Sequence, residues 1–480
     1  MLIGIDLDNT IINYNTIFQK LITQYKIKKN HRNDLKSILK EGLKSFPKKW
    51  TELQGEIYGK KIFNAKVFEN FDNFLKFSKN NNISIIIISH KTKYPYIGKK
   101  INLQNYALKF LKKKLKNFKY IEKIFFENNI ENKIKRIVNE DCDIFIDDLK
   151  KVLNHKLFPQ YTEKIHFNNV KIYNKSKNWN EIKNFIKNKI NQNTYNNNRN
   201  YIIENKNKIF VKKFHDVNNF KKENIFYNYL YKKKINNFPK ILKANLKRLT
   251  IKQIFIKNTK IRYSKKNLLQ KNINFIKKIN EYKKIDSKFN FAKDFTNGGE
   301  EYEKEIKKRI RIIKKKFRKF NFIKSEMVLN IIIKKFKLLK KKKYFSKISH
   351  TLSKFKILSP CDFHYKNMIY SKNKIYYFDF EYSGIDDSAK LLASYFLQPE
   401  KFFSYRFYLK NENLLKRTFK KKLSCKRIKL LFPVIYLRWA LILCNSIDDK
   451  NSNNENIKQL RKIKNYLIKR KEFFLKIINN

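Results

Sequence analysis

Glycine and proline are nearly missing from this chain. Its 480 residues include 8 glycines and 7 prolines, where ordinary usage is about 7% and 5%. No glycine falls between Gly98 and Gly298, so no glycine-rich phosphate-covering loop can lie in that stretch. No GxxxxGK[ST] run occurs anywhere, which excludes the P-loop class of nucleotide sites. Cysteine is scarce and scattered. Cys142, Cys361, Cys425 and Cys444 form no CxxC pair, which argues against zinc or a disulfide framework and fits a reducing, cytoplasmic setting. Long apolar runs are also absent. The most apolar stretch, Leu430 to Cys444, is short for a bilayer and contains Pro433 and Arg438, so it is expected to be a buried helix and no membrane span is expected. The N-terminus shows no basic-then-apolar leader.

Acidic residues are the last shortage: 40 against 112 basic ones, a formal net charge of +72. Such a surface attracts polyanions at low salt. Lys, Asn, Ile, Phe and Tyr are all abundant together, however, and all have A/T-rich codons. A bias that touches neutral residues as strongly as charged ones is not selection for charge. No specific nucleic-acid partner is expected on this ground, and the basic helical stretches Glu305–Lys319 and Lys334–Lys343 read as solvated surface. With 42% hydrophobic residues the chain can build cores, and its length suggests two or three domains.

The first half carries short apolar runs ending in polar or acidic residues: LIGIDL, ISIIIIS (Ile83–Ser89), DIFIDD (Asp143–Asp148) and EKIHFN (Glu163–Asn168). Helical spacing separates them, which points to an α/β doubly wound parallel sheet. Ligands of such sheets lie beyond the C-terminal strand ends, where Asp6, Asp8, Ser89, Asp147 and Asp148 fall together. Residues two apart in extended chain point the same way, roughly 6–7 Å apart, so Asp6 and Asp8 can flank one phosphoryl group. Asp6 can attack phosphorus and Asp8 can serve as acid and base. A Mg²⁺ held by Asp6 and Asp147, with Asp148 nearby, would offset the meeting of two anions. Ser89 can donate to phosphate, and Lys133 can supply a cation.

DLDNT, SHKT after an apolar strand, a following lysine and FIDD resemble, in order, the motifs of the haloacid dehalogenase-like phosphohydrolases. The resemblance covers about residues 1–190. It implies a Rossmann-like fold, Asp6 as nucleophile, Asp8 as acid/base, and Thr10, Ser89 and Lys133 at the phosphate. Residues 14–74 read as a helical cap that selects substrate. The Asn-rich run at 191–198 reads as a linker.

The second half carries CDFHYKN (Cys361–Asn367) and, after a strand, Asp379 in FDFEYSG. An Asp, an Asn five residues on, and a later Asp follow the logic of kinases: Asp362 takes the proton of an acceptor hydroxyl, and Asn367 and Asp379 hold Mg²⁺ on ATP. Upstream, Lys212 in FVKKF is suited to nucleotide phosphates, and Glu223 on the next helix is suited to orient it. Residues 199–480 resemble the aminoglycoside phosphotransferase and choline kinase-like group. The resemblance implies an α+β protein-kinase-like bilobal domain and ATP-dependent phosphorylation of a small molecule. Pro360 and Cys361 stand where that group has His and Gly.

The combined expectation is a bifunctional phosphoryl-transfer enzyme using Mg²⁺ and ATP on small phosphorylated and hydroxylated substrates, with sugars suggested by analogy. A pseudokinase scaffold on an active phosphatase is the alternative. A nucleic-acid end-processing kinase and phosphatase is disfavoured by the missing P-loop.

Overall fold

The computed structural model of the protein describes residues 1–480 except 29–33, 169–176, 193–199, 206, 260–262, 282–286, 321–322, 449–450 and 480. Most of the expected linker therefore lies outside the described residues. The chain forms two compact units: Met1–Lys213 with Ile241–Phe255, and Phe214–Lys240 with Ile256–Asn480. This division by compactness runs differently from a division at residues 190 and 199, because strands from both sides of those positions share the first unit.

The first unit is built on a five-stranded parallel sheet. Its strands, in spatial order, are Ile121–Glu127, Ser84–His90, Leu2–Ile5, Ile144–Asp147 and Glu163–His166. The four apolar runs singled out in the sequence supply four of these strands. The fifth, Ile121–Glu127, is an edge strand with no fully buried side chain, so it lacks the continuous apolar signal of a central parallel strand. Side chains alternate between two apolar layers. Ile3, Ile5, Ile85, Ile87, Ile144 and Ile146 pack on one face with Phe71, Phe74 and Trp179. Leu2, Ile86, Ile88 and Phe145 pack on the other with Ile134 and Ile137. Gly4 permits this close packing, since a Cβ there would stand 2.7 Å from the Phe145 ring. Between the short paired strands Ile12–Asn13 and Lys66–Val67 the chain makes a helical excursion through Asn15–Gln24, Leu35–Gly42 and Pro47–Tyr58. The next helix, Phe71–Asn80, returns to the sheet layer, with the Phe71 ring 4.7 Å from Trp179.

A four-stranded antiparallel sheet, in the order Ile241–Asn245, Thr250–Ile254, Lys208–Lys213, Tyr201–Glu204, completes the first unit. It is joined to the parallel sheet by buried charge. Lys252 Nζ lies 2.7 Å from Asp141 and 3.0 Å from Asp143, and Arg248 lies 2.7 Å from Asp143. Tyr201 donates its hydroxyl proton to Asp143 at 2.6 Å. Removing one partner from such a buried set leaves an uncompensated charge, at a cost of about 3–5 kcal/mol.

The second unit is mainly helical. Its helices include Val217–Lys232, Lys265–Ile279, Gly299–Phe320, Ile323–Lys341, Ser388–Leu397, Tyr405–Phe419, Cys425–Cys444 and Asn453–Lys469. Two small antiparallel pairs, Lys356–Ser359 with Gly384–Asp387 and Met368–Ser371 with Lys374–Tyr377, carry the loops of interest. Helix Cys425–Cys444 is buried on nearly all sides. Its Arg438 is neutralised by Asp294 at 2.7 Å and Glu305 at 3.0 Å. Among the described residues no helix is long and apolar enough to cross a membrane.

Candidate functional site

The first site lies where the parallel strands end. Strand Leu2–Ile5 pairs with Ile144–Asp147, and the Asp6 amide donates to the Ile146 carbonyl at 2.9 Å. That bond holds Asp6 beside Asp147. Asp6, Asp147 and Asp148 each present a carboxylate oxygen within 4.8 Å of the others. Hard oxygen donors at this spacing suit a small divalent cation such as Mg²⁺. Lys133, fully buried on helix Ile130–Glu140, reaches Asp6 at 2.5 Å and Asp147 at 2.7 Å. Burial pushes Asp6 up to about 7; Lys133 opposes that rise and Asp147 adds to it. Burial works against the Lys133 charge, but Asp147 and Asp6 outweigh it and hold the ammonium above the ordinary lysine range.

Asp8 follows two residues after Asp6. Asn9 adopts φ +61°, a conformation asparagine tolerates better than most residues, and this turns the chain sharply after Asp8. Tyr14 donates to the Asp8 carboxylate at 2.6 Å, and Lys91 lies 2.9 Å from its other oxygen. Lys91 is itself buried and sits over the Tyr58 ring, 4.6 Å from the centroid. Ser89, the last residue but one of strand Ser84–His90, is fully buried, with no hydrogen-bond partner for Oγ. An unpartnered buried hydroxyl near a strand end is one that a phosphate oxygen would satisfy. Thr10 Oγ1 donates to Asp148 at 3.4 Å, and its carbonyl accepts from Trp179.

Three contributors escaped the sequence reading. Lys91 lies inside SHKT, two residues after Ser89, and its place in the motif was a usable signal. Tyr14 and Lys36 carry none. Lys36 comes from the helical excursion. Burial opposes its charge, yet Tyr58, Asp148 and Asp8 hold it above the ordinary lysine range. The excursion therefore contributes a cation to the site.

The second site lies in the second unit. Asp362 follows Cys361, whose φ is +65°. That is the left-handed region glycine enters freely and other residues enter at roughly 1–2 kcal/mol. The loop thus keeps a glycine-like conformation with a cysteine in it. Asn367 donates its side-chain N–H to the Asp362 carbonyl at 2.9 Å, which fixes the loop across five residues. Burial pushes the Asp362 carboxyl up to about 6, with Asp379 and Asp294 adding to the rise. Asp379 also has positive φ, +67°. Its carboxylate gathers with those of Glu223 and Glu381 within 4.8 Å. These oxygens again suit Mg²⁺. Glu381 was not foreseen, although it stands two residues after Asp379. Glu223, fully buried on helix Val217–Lys232, joins this carboxylate group. Lys212 is half-buried on strand Lys208–Lys213 opposite Ile251, in the first unit. His364 packs edge-on to Trp439, 6.0 Å between centroids, and burial lowers its pKa.

No protein-family model matches the chain, and no curated protein matches it. Solved structures do. The choline kinase LicA from Streptococcus pneumoniae is 17% identical, over 60% of this chain and 99% of that one, with a TM-score of 0.38. The ADP-bound aminoglycoside phosphotransferase APH(2'')-Ib is 16% identical, over 57% of this chain and 91% of that one, at 0.38. A Had-superfamily hydrolase from Ehrlichia chaffeensis is 17% identical, over 39% of this chain and 96% of that one, at 0.26. These likenesses are partial, and the reading of activity rests on the side chains.

Proposed function

We propose that the chain is a two-site phosphoryl-transfer enzyme: a phosphohydrolase of the haloacid dehalogenase type in its first half, with a doubly wound sheet and a cap, and an ATP-dependent small-molecule kinase in its second. The observation that carries the first activity is the Asp6–Lys133–Asp147 arrangement beside an unpartnered Ser89 hydroxyl. A Mg²⁺ bound by Asp6, Asp147 and Asp148 would reduce the repulsion between the Asp6 carboxylate and the phosphate ester. Asp6 forms a bond to phosphorus while the ester P–O bond breaks. Asp8 gives its proton to the leaving oxygen. It then takes one from water as the water oxygen attacks phosphorus and frees Asp6. Tyr14 and Lys91 hold Asp8 in place. Ser89 and Lys133 bind the phosphate oxygens.

In the second half Asp362 accepts the acceptor hydroxyl's proton as its oxygen bonds to the terminal phosphorus of ATP, and the bond to ADP breaks. Asn367 and Asp379, with Glu381, would hold Mg²⁺. The free thiols of Cys142, Cys361, Cys425 and Cys444 support a cytoplasmic setting. One observation favours a scaffold role for the second half instead: no glycine is available between Gly98 and Gly298 for a phosphate-covering loop. Titration of Mg·ATP into the full chain decides between them. Saturable, Mg²⁺-dependent binding lost in Asp379→Ala supports the kinase, and no binding by the wild type leaves the scaffold. Hydrolysis of p-nitrophenyl phosphate by the wild type but not by Asp6→Asn tests the phosphatase.

A further inference from the structure

A cavity of about 720 Å³ opens in the second unit between the start of helix Val217–Lys232 and the segment 288–293. Among the described residues, four lysines line it, Lys221, Lys222, Lys288 and Lys293, against one carboxylate, Asp216. That carboxylate is already engaged as the helix cap, accepting the Asn219 amide at 2.8 Å. Lysine is abundant throughout this chain, so four on one wall could follow from composition alone. Composition does not explain Ser383. It is 2% exposed, lines the same cavity, and its hydroxyl has no hydrogen-bond partner. A buried, unpartnered hydroxyl on the wall of a cationic space can be satisfied by an acceptor oxygen, and an anion supplies one. Lys222 donates to the Phe291 carbonyl at 3.0 Å. Lys293 stands over the Tyr382 ring, 4.2 Å from the centroid.

Shared wall residues relate the cavity to the surroundings of Asp362. Lys293 also walls a second cavity of about 400 Å³. Asp294 walls that one together with the small cavity of about 30 Å³ beside Asp362. Ser383 follows Asp379 and Glu381 in sequence, so the anion wall and the proposed metal ligands share one segment.

We propose that this cavity is an anion subsite for the acceptor, so that the small molecule phosphorylated at Asp362 already carries a phosphate group. The proposal rests on the kinase reading for the word acceptor, and on the cavity alone for the word anion. The recognition chemistry is opposite to that needed for a cationic amine. A monophosphate dianion would accept from Ser383 Oγ and pair with the ammonium groups of Lys222 and Lys293, while its hydroxyl lies toward Asp362.

The test uses the full chain. Crystals soaked in tungstate, a phosphate surrogate with a strong anomalous signal, should show a peak within hydrogen-bond distance of Ser383 Oγ. Ser383→Ala and Lys293→Gln should weaken that peak while the rest of the structure is unchanged. ATP consumption is then measured with matched pairs of polyols and their monophosphates. Monophosphates should be preferred, and Lys293→Gln should raise their KM by about tenfold to a hundredfold with little effect on the KM for the unphosphorylated partners. A cavity without tungstate, or undiminished tungstate in both variants, overturns the site. Displacement of tungstate by Mg·ATP alone assigns the cavity to the nucleotide and overturns the acceptor role. Transfer that favours the unphosphorylated polyols overturns the substrate class while the kinase reading stands. Tungstate in the cavity with no transfer to any acceptor upholds the anion site and sinks the kinase reading.

Discussion

The two carboxylate clusters of this protein are similar in composition and differ in how they are made. Asp6, Asp147 and Asp148 sit at the ends of adjacent parallel strands, held by regular sheet hydrogen bonds, with a buried lysine between two of them. Glu223, Asp379 and Glu381 come from a helix and a loop; Asp379 itself takes positive φ, as does Cys361 before Asp362. The first site is placed by period and pairing. The second is placed by local backbone strain that the surrounding helices must hold. A site of the first kind should tolerate changes around it and fail when a reacting group changes. A site of the second kind should also respond to changes in backbone preference.

The largest expected effect sits at the sheet end. Asp6→Asn should cut phosphate-ester hydrolysis by about 10³-fold or more, since the nucleophile is removed, and its circular dichroism should match wild type. An Asn variant with near wild-type turnover would end the covalent mechanism and with it the contrast between the sites. The second effect separates two residues of the strained site. Asp379→Ala should abolish Mg·ATP binding in calorimetry, whereas Asp362→Ala should bind Mg·ATP and transfer phosphate very slowly. Equal loss of binding in both variants would show that the loop, rather than the individual carboxylates, is what the substitutions break.

The third effect is on stability. Asp143→Asn should destabilise the first unit by about 3–5 kcal/mol in denaturant melts, because Lys252 loses an anion while remaining buried. Burial alone would raise Asp143, but Lys252, Arg248 and the chain N-terminus override it and hold the carboxyl well below its ordinary range. The contribution is therefore full above the unfolded value near pH 4 and is lost as pH falls below it. Acid unfolding of the wild type between about pH 4 and 2 should be steeper than that of Asp143→Asn; identical profiles would remove Asp143 from the account. The smallest effect is Cys361→Gly. Relief of the left-handed penalty, less the greater chain entropy of glycine, should stabilise by up to about 1 kcal/mol. A lower midpoint in that variant would mean the cysteine side chain, rather than the backbone, holds the loop.

Much of the first site was legible in the sequence. The spacing of Asp6 and Asp8, the runs ending at Ser89 and Asp148, and their common position at strand ends followed from strand period alone. The edge strand Ile121–Glu127 was not legible, because half-exposed side chains blur the apolar run. In the second half the order Asp362, Asn367, Asp379 was visible, but the gathering of Glu223 with Asp379 and Glu381 was not. Glu223 precedes Asp379 by more than a hundred residues, and no local period relates a helix interior to a loop. The pairing of Asp141 and Asp143 with Arg248 and Lys252 was hidden for the same reason.

The sequence by itself therefore determined which groups are available for chemistry and the order in which they occur, because strand period and loop spacing are local. Only the tertiary structure decided which cation answers each carboxylate: Lys133 between Asp6 and Asp147, Lys91 at Asp8, Lys252 at Asp143. In a chain with 112 basic residues nearly any of them could serve. Charge interactions depend on distance and on exclusion of water, and both are set by packing between segments far apart in the chain.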